Sequence, residues 1–101
     1  MSVETVYSEN ENTLTIRIKG VFNFSIMNEF RQSYSNSISK TTKIIVDLRE
    51  NTMLDSSALG MLLAMKEFLK REDGDINIIN CNPVVMKIFE ITHFEKMFNF
   101  P

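Results

Sequence analysis

Residues 43–48 read KIIVDL, with Ile44, Ile45, Val46 and Leu48 crowding one short stretch. The polar–apolar alternation of a half-solvated strand is missing. The run reads as a central strand covered on both faces. Such a strand needs flanking strands for its backbone and helices for its side chains.

Residues 3–8 suit a short strand, and Asn10-Glu11-Asn12 a turn. Residues 13–19, TLTIRIK, alternate, with Leu14, Ile16 and Ile18 on one side and Thr15, Arg17 and Lys19 on the other. These two strands are expected to form a hairpin that ends at Gly20. Ser25 is read as the cap of a helix to about Ser39, with Ile26, Phe30, Tyr34 and Ile38 as its buried stripe. Residues 49–54 are expected to be a loop. Asp55 is expected to open a second helix to about Glu72, stopped by Asp73-Gly74. Residues 75–80, DINIIN, give another strand. Asn82-Pro83 starts a third helix, to about Ile91, with Asn as cap and Pro at the first helical position. Phe94 to Phe98 suit one more short helical piece. A hairpin followed by alternating helices and strands predicts an α/β fold with a mixed sheet of four to five strands and helices packed on it.

The 101 residues suffice for one core, so residues 1–101 are read as a single domain. The net charge is −2 and Lys and Arg are scattered, which gives no footprint for nucleic acid. No apolar run approaches the roughly 20 residues of a membrane span. The first residues lack the basic and apolar regions of a signal peptide. The one cysteine, Cys81, cannot form an intrachain disulfide. A cytoplasmic location is expected. The seven methionines are read as gap-fillers of the core.

The stretch Met53 to Gly60, MLDSSALG, carries the chemistry. Asp-Ser-Ser before an apolar run is a common helix start, and Asp55 suits the cap. On a wheel of about 100° per residue, Ala58, Leu62, Met65 and Leu69 form the buried stripe, flanked by Leu59, Met61 and Phe68. Ser56 falls on the solvent side. Ser57 falls nearer the buried edge and is expected to bond to backbone. Ser56, Gly60, Leu63 and Ala64 form an exposed strip, small and partly apolar, that another protein could approach closely. A phosphate on Ser56 would add roughly −1.5 to −2 charges beside the unpaired N–H groups of the first turn, which tolerate an anion.

Other chemistries find less support. A Ser-His-Asp triad would rest on His93, the only histidine, and there is no G-x-S-x-G elbow. His93 is read as part of the cap before the last helical turn. No glycine-rich phosphate loop appears, and Asp and Glu are not spaced as calcium or zinc ligands. Asp47, at the end of the central strand, is read as a hydrogen-bond acceptor for the following loop. The chain is therefore expected to have no catalytic residues, metal or cofactor.

The strand Ile44 to Leu48, a short loop and then Asp55-Ser56-Ser57-Ala58-Leu59-Gly60 resemble the signature of the STAS domain, and more narrowly of the stand-alone bacterial anti-sigma factor antagonists. That family's motif is aspartate, serine, serine or threonine, glycine, leucine, glycine. The order of elements, from the early hairpin to Phe94 and Phe98, resembles the family over nearly the whole length. The resemblance implies that Ser56 is the phosphorylation site. It implies a serine kinase of the histidine-kinase-like ATPase fold, itself the anti-sigma factor or switch protein, and a metal-dependent serine phosphatase. The unmodified form would bind the kinase partner; the phosphorylated form would not. Asp55, Ser56, Ser57, Gly60, Leu63 and Ala64 would form the contact surface, with Asn23 and Phe24 at its edge. Ala58 stands where the family usually has glycine, and Asn23 where it commonly has aspartate. The alternative is a STAS subunit of a transporter or a larger signalling assembly, in which the serine is structural.

Overall fold

The structure, a computed structural model, describes residues 2–36 and 38–101. Strands β1 (Val3–Ser8) and β2 (Thr13–Ile18) form the expected hairpin, with Val3 opposite Ile18 and Ser8 opposite Thr13. Asn12, at φ 48°, closes the connection in the left-handed region that asparagine tolerates. Strand β4 (Lys43–Asp47) lies parallel to β2, and β6 (Ile76–Ile79) lies parallel to β4, so the sheet order is β1-β2-β4-β6. The sheet is mixed, as expected.

Gly20, at φ 72°, turns the chain out of this sheet into β3 (Gly20–Phe22). Here the structure corrects the sequence reading. Residues 49–54 are not all loop: β5 (Asn51–Leu54) pairs in parallel with β3 as a second, two-stranded sheet. Phe22 and Leu54 are opposite each other and buried; Val21 and Met53 are opposite each other and exposed by 51% and 45%. Buried Asn51 secures this ribbon, donating from Nδ2 to the carbonyls of Gly20 at 2.8 Å and Met53 at 2.9 Å.

The first helix also differs. Asn23, not Ser25, is the cap: its Oδ1 accepts from the Ser25 N–H at 2.9 Å and from the Ser25 hydroxyl at 2.6 Å. A single 3-10 turn, Phe24–Ile26, leads into α1 (Met27–Tyr34), which stops well before Ser39. Ile26, Phe30 and Tyr34 are buried as expected, while Ile38 packs on the core from beyond the helix. The Ser33 hydroxyl bonds back to the Phe30 carbonyl, and the serines and asparagine that follow favour such local bonds over helix. Residue 37, inside the span predicted as helix, lies outside the described residues.

Helix α2 (Ser56–Phe68) follows β5 directly. It ends before the predicted Glu72 because Lys70 turns left-handed at φ 53° and the Arg71 N–H closes on the Lys66 carbonyl. The Arg71 guanidinium is drawn instead to the carbonyls of Thr42 at 2.8 Å and Ser39 at 3.1 Å. Helix α3 (Pro83–Ile91) starts as predicted, with Asn82 Oδ1 accepting from the Val85 N–H at 2.8 Å. A 3-10 turn, Phe94–Lys96, comes near the C-terminus, and Asn99 then bridges in parallel to Asn77 on the outer side of β6.

The core joins Leu14, Ile16, Ile18, Ile44, Val46, Ile76 and Ile78 to the inward residues of all three helices. The alternate positions, among them Thr15, Ile45, Asn77 and Ile79, are only half-buried. One face of the sheet is therefore packed and the other partly open, which corrects the expectation that KIIVDL is covered on both sides. Asp47 is buried on that open face by its own bonds, to Arg17 Nε at 3.2 Å, the Arg49 N–H at 3.0 Å and Asn80 Nδ2 at 2.9 Å. It fixes the turn that leads into β5.

Candidate functional site: the start of helix α2

Strand β5 delivers the chain to Asp55, whose extended backbone (φ −119°, ψ −174°) stands outside the helix as its cap. Asp55 Oδ1 accepts from the Ala58 N–H at 3.2 Å and from the Ser57 hydroxyl at 2.6 Å. Ser57 thus bonds to a carboxylate rather than to backbone, contrary to the sequence reading. The Ser57 bond, followed by the first-turn N–H groups, holds the Asp55 carboxyl below the ordinary carboxylate range. Ser56 is exposed, and its hydroxyl has no hydrogen-bond partner among the described residues.

Beside this end of α2 runs a groove of about 330 Å³ between α1 and α2. Phe24, Met27 and Arg31 line it from one side, Ser57, Gly60 and Ala64 from the other. It is largely apolar, and Phe24 is 64% exposed at its rim. Gly60 is in helical conformation, and a Cβ built there would meet nothing within 4 Å. The fold itself has no steric need for glycine at this position, which costs helix stability.

Of the predicted surface, Phe24, Ser57, Gly60 and Ala64 therefore share one groove, with Asp55 and Ser56 at the start of the same helix. Leu63 does not join it. It is exposed, but it lines a separate depression with Lys66, Glu67 and Met97. Asn23 is engaged in its own turn, where its oxygen does what an aspartate oxygen would do. Ala58 is fully buried, so this departure from the family motif faces the core and not a partner. Sequence reasoning missed Val21 and Met53, the exposed pair of the ribbon that feeds α2. The available signal was weak: Val21 precedes an inward Phe22, and Met53 precedes an inward Leu54, over only two or three residues.

The remaining candidates, His93 and Cys81, do not line this groove. His93 stands exposed before the last 3-10 turn, 3.7 Å from Glu95. Cys81 is half-buried against the core, and burial pushes its thiol up to about 11. Among the described residues no group of His, Cys, Asp or Glu could hold a metal ion. No described helix is long and apolar enough to cross a membrane.

The family model described as STAS domain matches residues 4–101. A STAS-domain containing protein of Pseudomonas aeruginosa (strain UCBPP-PA14) is 40% identical over 98 residues, covering 97% of each chain. Among solved structures, the anti-sigma factor antagonist SpoIIAA in its unphosphorylated form superposes with a TM-score of 0.65 at 20% identity, over 88% of this chain and 82% of that one. The Bacillus cell fate determinant SpoIIAA in its phosphorylated form superposes with a TM-score of 0.67 at 19% identity, over 98% and 90%. A sulfate transporter family protein from Wolinella succinogenes superposes with a TM-score of 0.68 at 15% identity, over 94% and 81%. The chain belongs to the STAS domain family, with the fold of the SpoIIAA-like antagonists.

Proposed function

We propose that this chain is a phosphorylation-controlled antagonist of an anti-sigma factor or related switch protein, that it is not an enzyme, and that it works in the cytoplasm. The observation that carries this reading is the exposed Ser56 hydroxyl at the start of α2, without a partner among the described residues and beside a mostly apolar groove. A serine kinase, itself the binding partner, adds the phosphate, and a metal-dependent phosphatase removes it. The fold tolerates the phosphate because first-turn N–H groups and the helix dipole favour an anion. The complex does not. A dianion facing a partner surface that had closed on a neutral hydroxyl is left without a counter-ion, which costs several kcal/mol and orders of magnitude in affinity. Gly60 supports the same reading, since a backbone bare of side chain lets a partner come close.

The similarity to a sulfate transporter family protein supports a second reading, a STAS subunit of a transporter or larger assembly with a structural serine. A structural serine would be expected to bond within the fold, and Ser56 has no such bond among the described residues. Intact-mass measurement of the protein from its native cell, with and without phosphatase, separates the two. The switch predicts a fraction carrying one phosphoryl group, mapped to Ser56 and absent from Ser56→Ala. A single unmodified mass under all growth conditions would favour the structural serine.

A further inference from the structure

The two edges of the four-stranded sheet are unlike. On the outer side of β6, the chain's own Asn99 supplies bonds, donating to the Ile76 carbonyl at 2.8 Å and accepting from the Ile78 N–H at 2.9 Å. Among the described residues, the outer side of β1 has no such cover. The Lys19 N–H bonds the Ser2 carbonyl at 2.8 Å, which sets the phase of the antiparallel ladder. By alternation, Glu4, Val6 and Ser8 direct their backbone groups to β2, and Val3, Thr5 and Tyr7 direct theirs outward. Those outward groups have no partner among the described residues. Glu4, Thr5, Val6 and Tyr7 are all exposed, Val6 by 52% and Tyr7 by 54%. The strand lacks the usual protections of an edge: no proline, no lysine and no bulge.

We propose that β1 pairs with β1 of a second copy of this chain, antiparallel about a two-fold axis at Thr5, joining two sheets edge to edge. The free ladder requires an extended strand, and an antiparallel copy presents the same donors and acceptors in reverse. With Thr5 opposite Thr5 of the second copy, Val3 lies opposite Tyr7, and both outward ladders are satisfied. Glu4 then lies opposite Val6 in the close, non-hydrogen-bonded position. Glu4 is the one ionised side chain of the strand, and it is already paired with Arg17 of its own chain at 3.1 Å. No like charges meet. This association is separate from the switch at Ser56.

Sedimentation of the full chain from about 5 μM to about 500 μM tests the pairing, since a small interface associates in that range. The expected result is a concentration-dependent doubling of mass, with slowed amide exchange at Val3, Thr5 and Tyr7. Val6→Glu sets like charges opposite each other and should return the protein to monomer; Val6→Lys sets opposite charges there and should leave the dimer as tight or tighter. Thr5→Pro removes an outward N–H without touching the bonds to β2 and should also give monomer. Should the proline variant lose its native circular dichroism, the two Val6 variants decide. A monomer across the whole range overturns the proposal. So does a dimer that responds alike to Val6→Glu and Val6→Lys, or one whose β1 amides exchange as in the monomer.

Discussion

The hydroxyl of Ser57 donates to Asp55 Oδ1 at 2.6 Å, and the Ala58 N–H shares that oxygen at 3.2 Å. Two of the three residues of Asp55-Ser56-Ser57 thereby satisfy each other and the helix end. Ser56 is left between them with its hydroxyl in solvent. The cap therefore leaves the hydroxyl proposed for modification unengaged, and the two roles do not compete for the same atoms.

Removing the Ser57 hydroxyl should be felt at Asp55. Its bond is the largest influence lowering the Asp55 carboxyl, ahead of the opposing effect of desolvation and the help of the Ala58 N–H. Ser57→Ala should therefore raise the Asp55 pKa toward the ordinary value, as read by a carbon-detected NMR titration of the carboxyl. A depressed carboxylate stabilises above its unfolded pKa and loses that contribution as pH falls through the folded one. The variant should lose the cap at higher pH than the parent, in the region below about pH 4.

Asp47 should also contribute to acid sensitivity. Burial alone would raise its pKa, but bonds from Asn80, the Arg49 N–H and Arg17 outweigh burial and lower it. The sign is that of Asp55: the stabilisation holds above the usual carboxylate pKa and disappears as pH falls below it. Asp47→Ala leaves Asn80 and the Arg49 N–H without their acceptor. Urea unfolding at neutral pH should show a loss of about 2–3 kcal/mol, and the variant should show a flatter fall in stability toward acid.

Gly60→Ala should separate folding from docking. Nothing lies within 4 Å of the new Cβ, so the helix should gain about 1 kcal/mol, or about 4–8 °C in melting temperature. Affinity for the proposed kinase partner should fall. A stabilised protein that binds as well as the parent would remove Gly60 from the contact surface.

The Val21–Met53 pair should behave as a surface without structural cost. Both side chains are about half exposed and opposite each other on a ribbon that runs directly into Asp55. Met53→Lys should change stability by less than about 0.5 kcal/mol. It should weaken partner binding by more than about tenfold if the docking surface extends onto this ribbon. Pull-down titrations with the parent and the variant compare the two.

Much of this was legible in the chain. Clean alternation located β2, Asn82-Pro83 located the start of α3, and helical phase put Ser56 in solvent and Ala58, Leu62 and Met65 in the core. What escaped was set by tertiary contact. Strands β3 and β5 are too short to show a period and exist because they pair with each other across 31 residues, with Asn51 fixing the start. The ends of α1 and α2 were overrun because apolar spacing continues past them, while Ser33 back-bonding and the reach of Arg71 to distant carbonyls stop the helices. The wheel grouped Leu63 with Ser56, but a wheel holds no neighbouring helix. Helix α1 makes the groove on one flank of α2 and leaves Leu63 on the other.

The central claim is that one hydroxyl, neutral or phosphorylated, decides docking. Titration calorimetry of the proposed kinase partner, once captured from the native cell on the immobilised chain, against the unmodified chain and the chain stoichiometrically phosphorylated at Ser56, tests it most directly. The account predicts saturable binding of the unmodified form and a loss of at least about 100-fold on phosphorylation. Equal affinity for the two forms would contradict it.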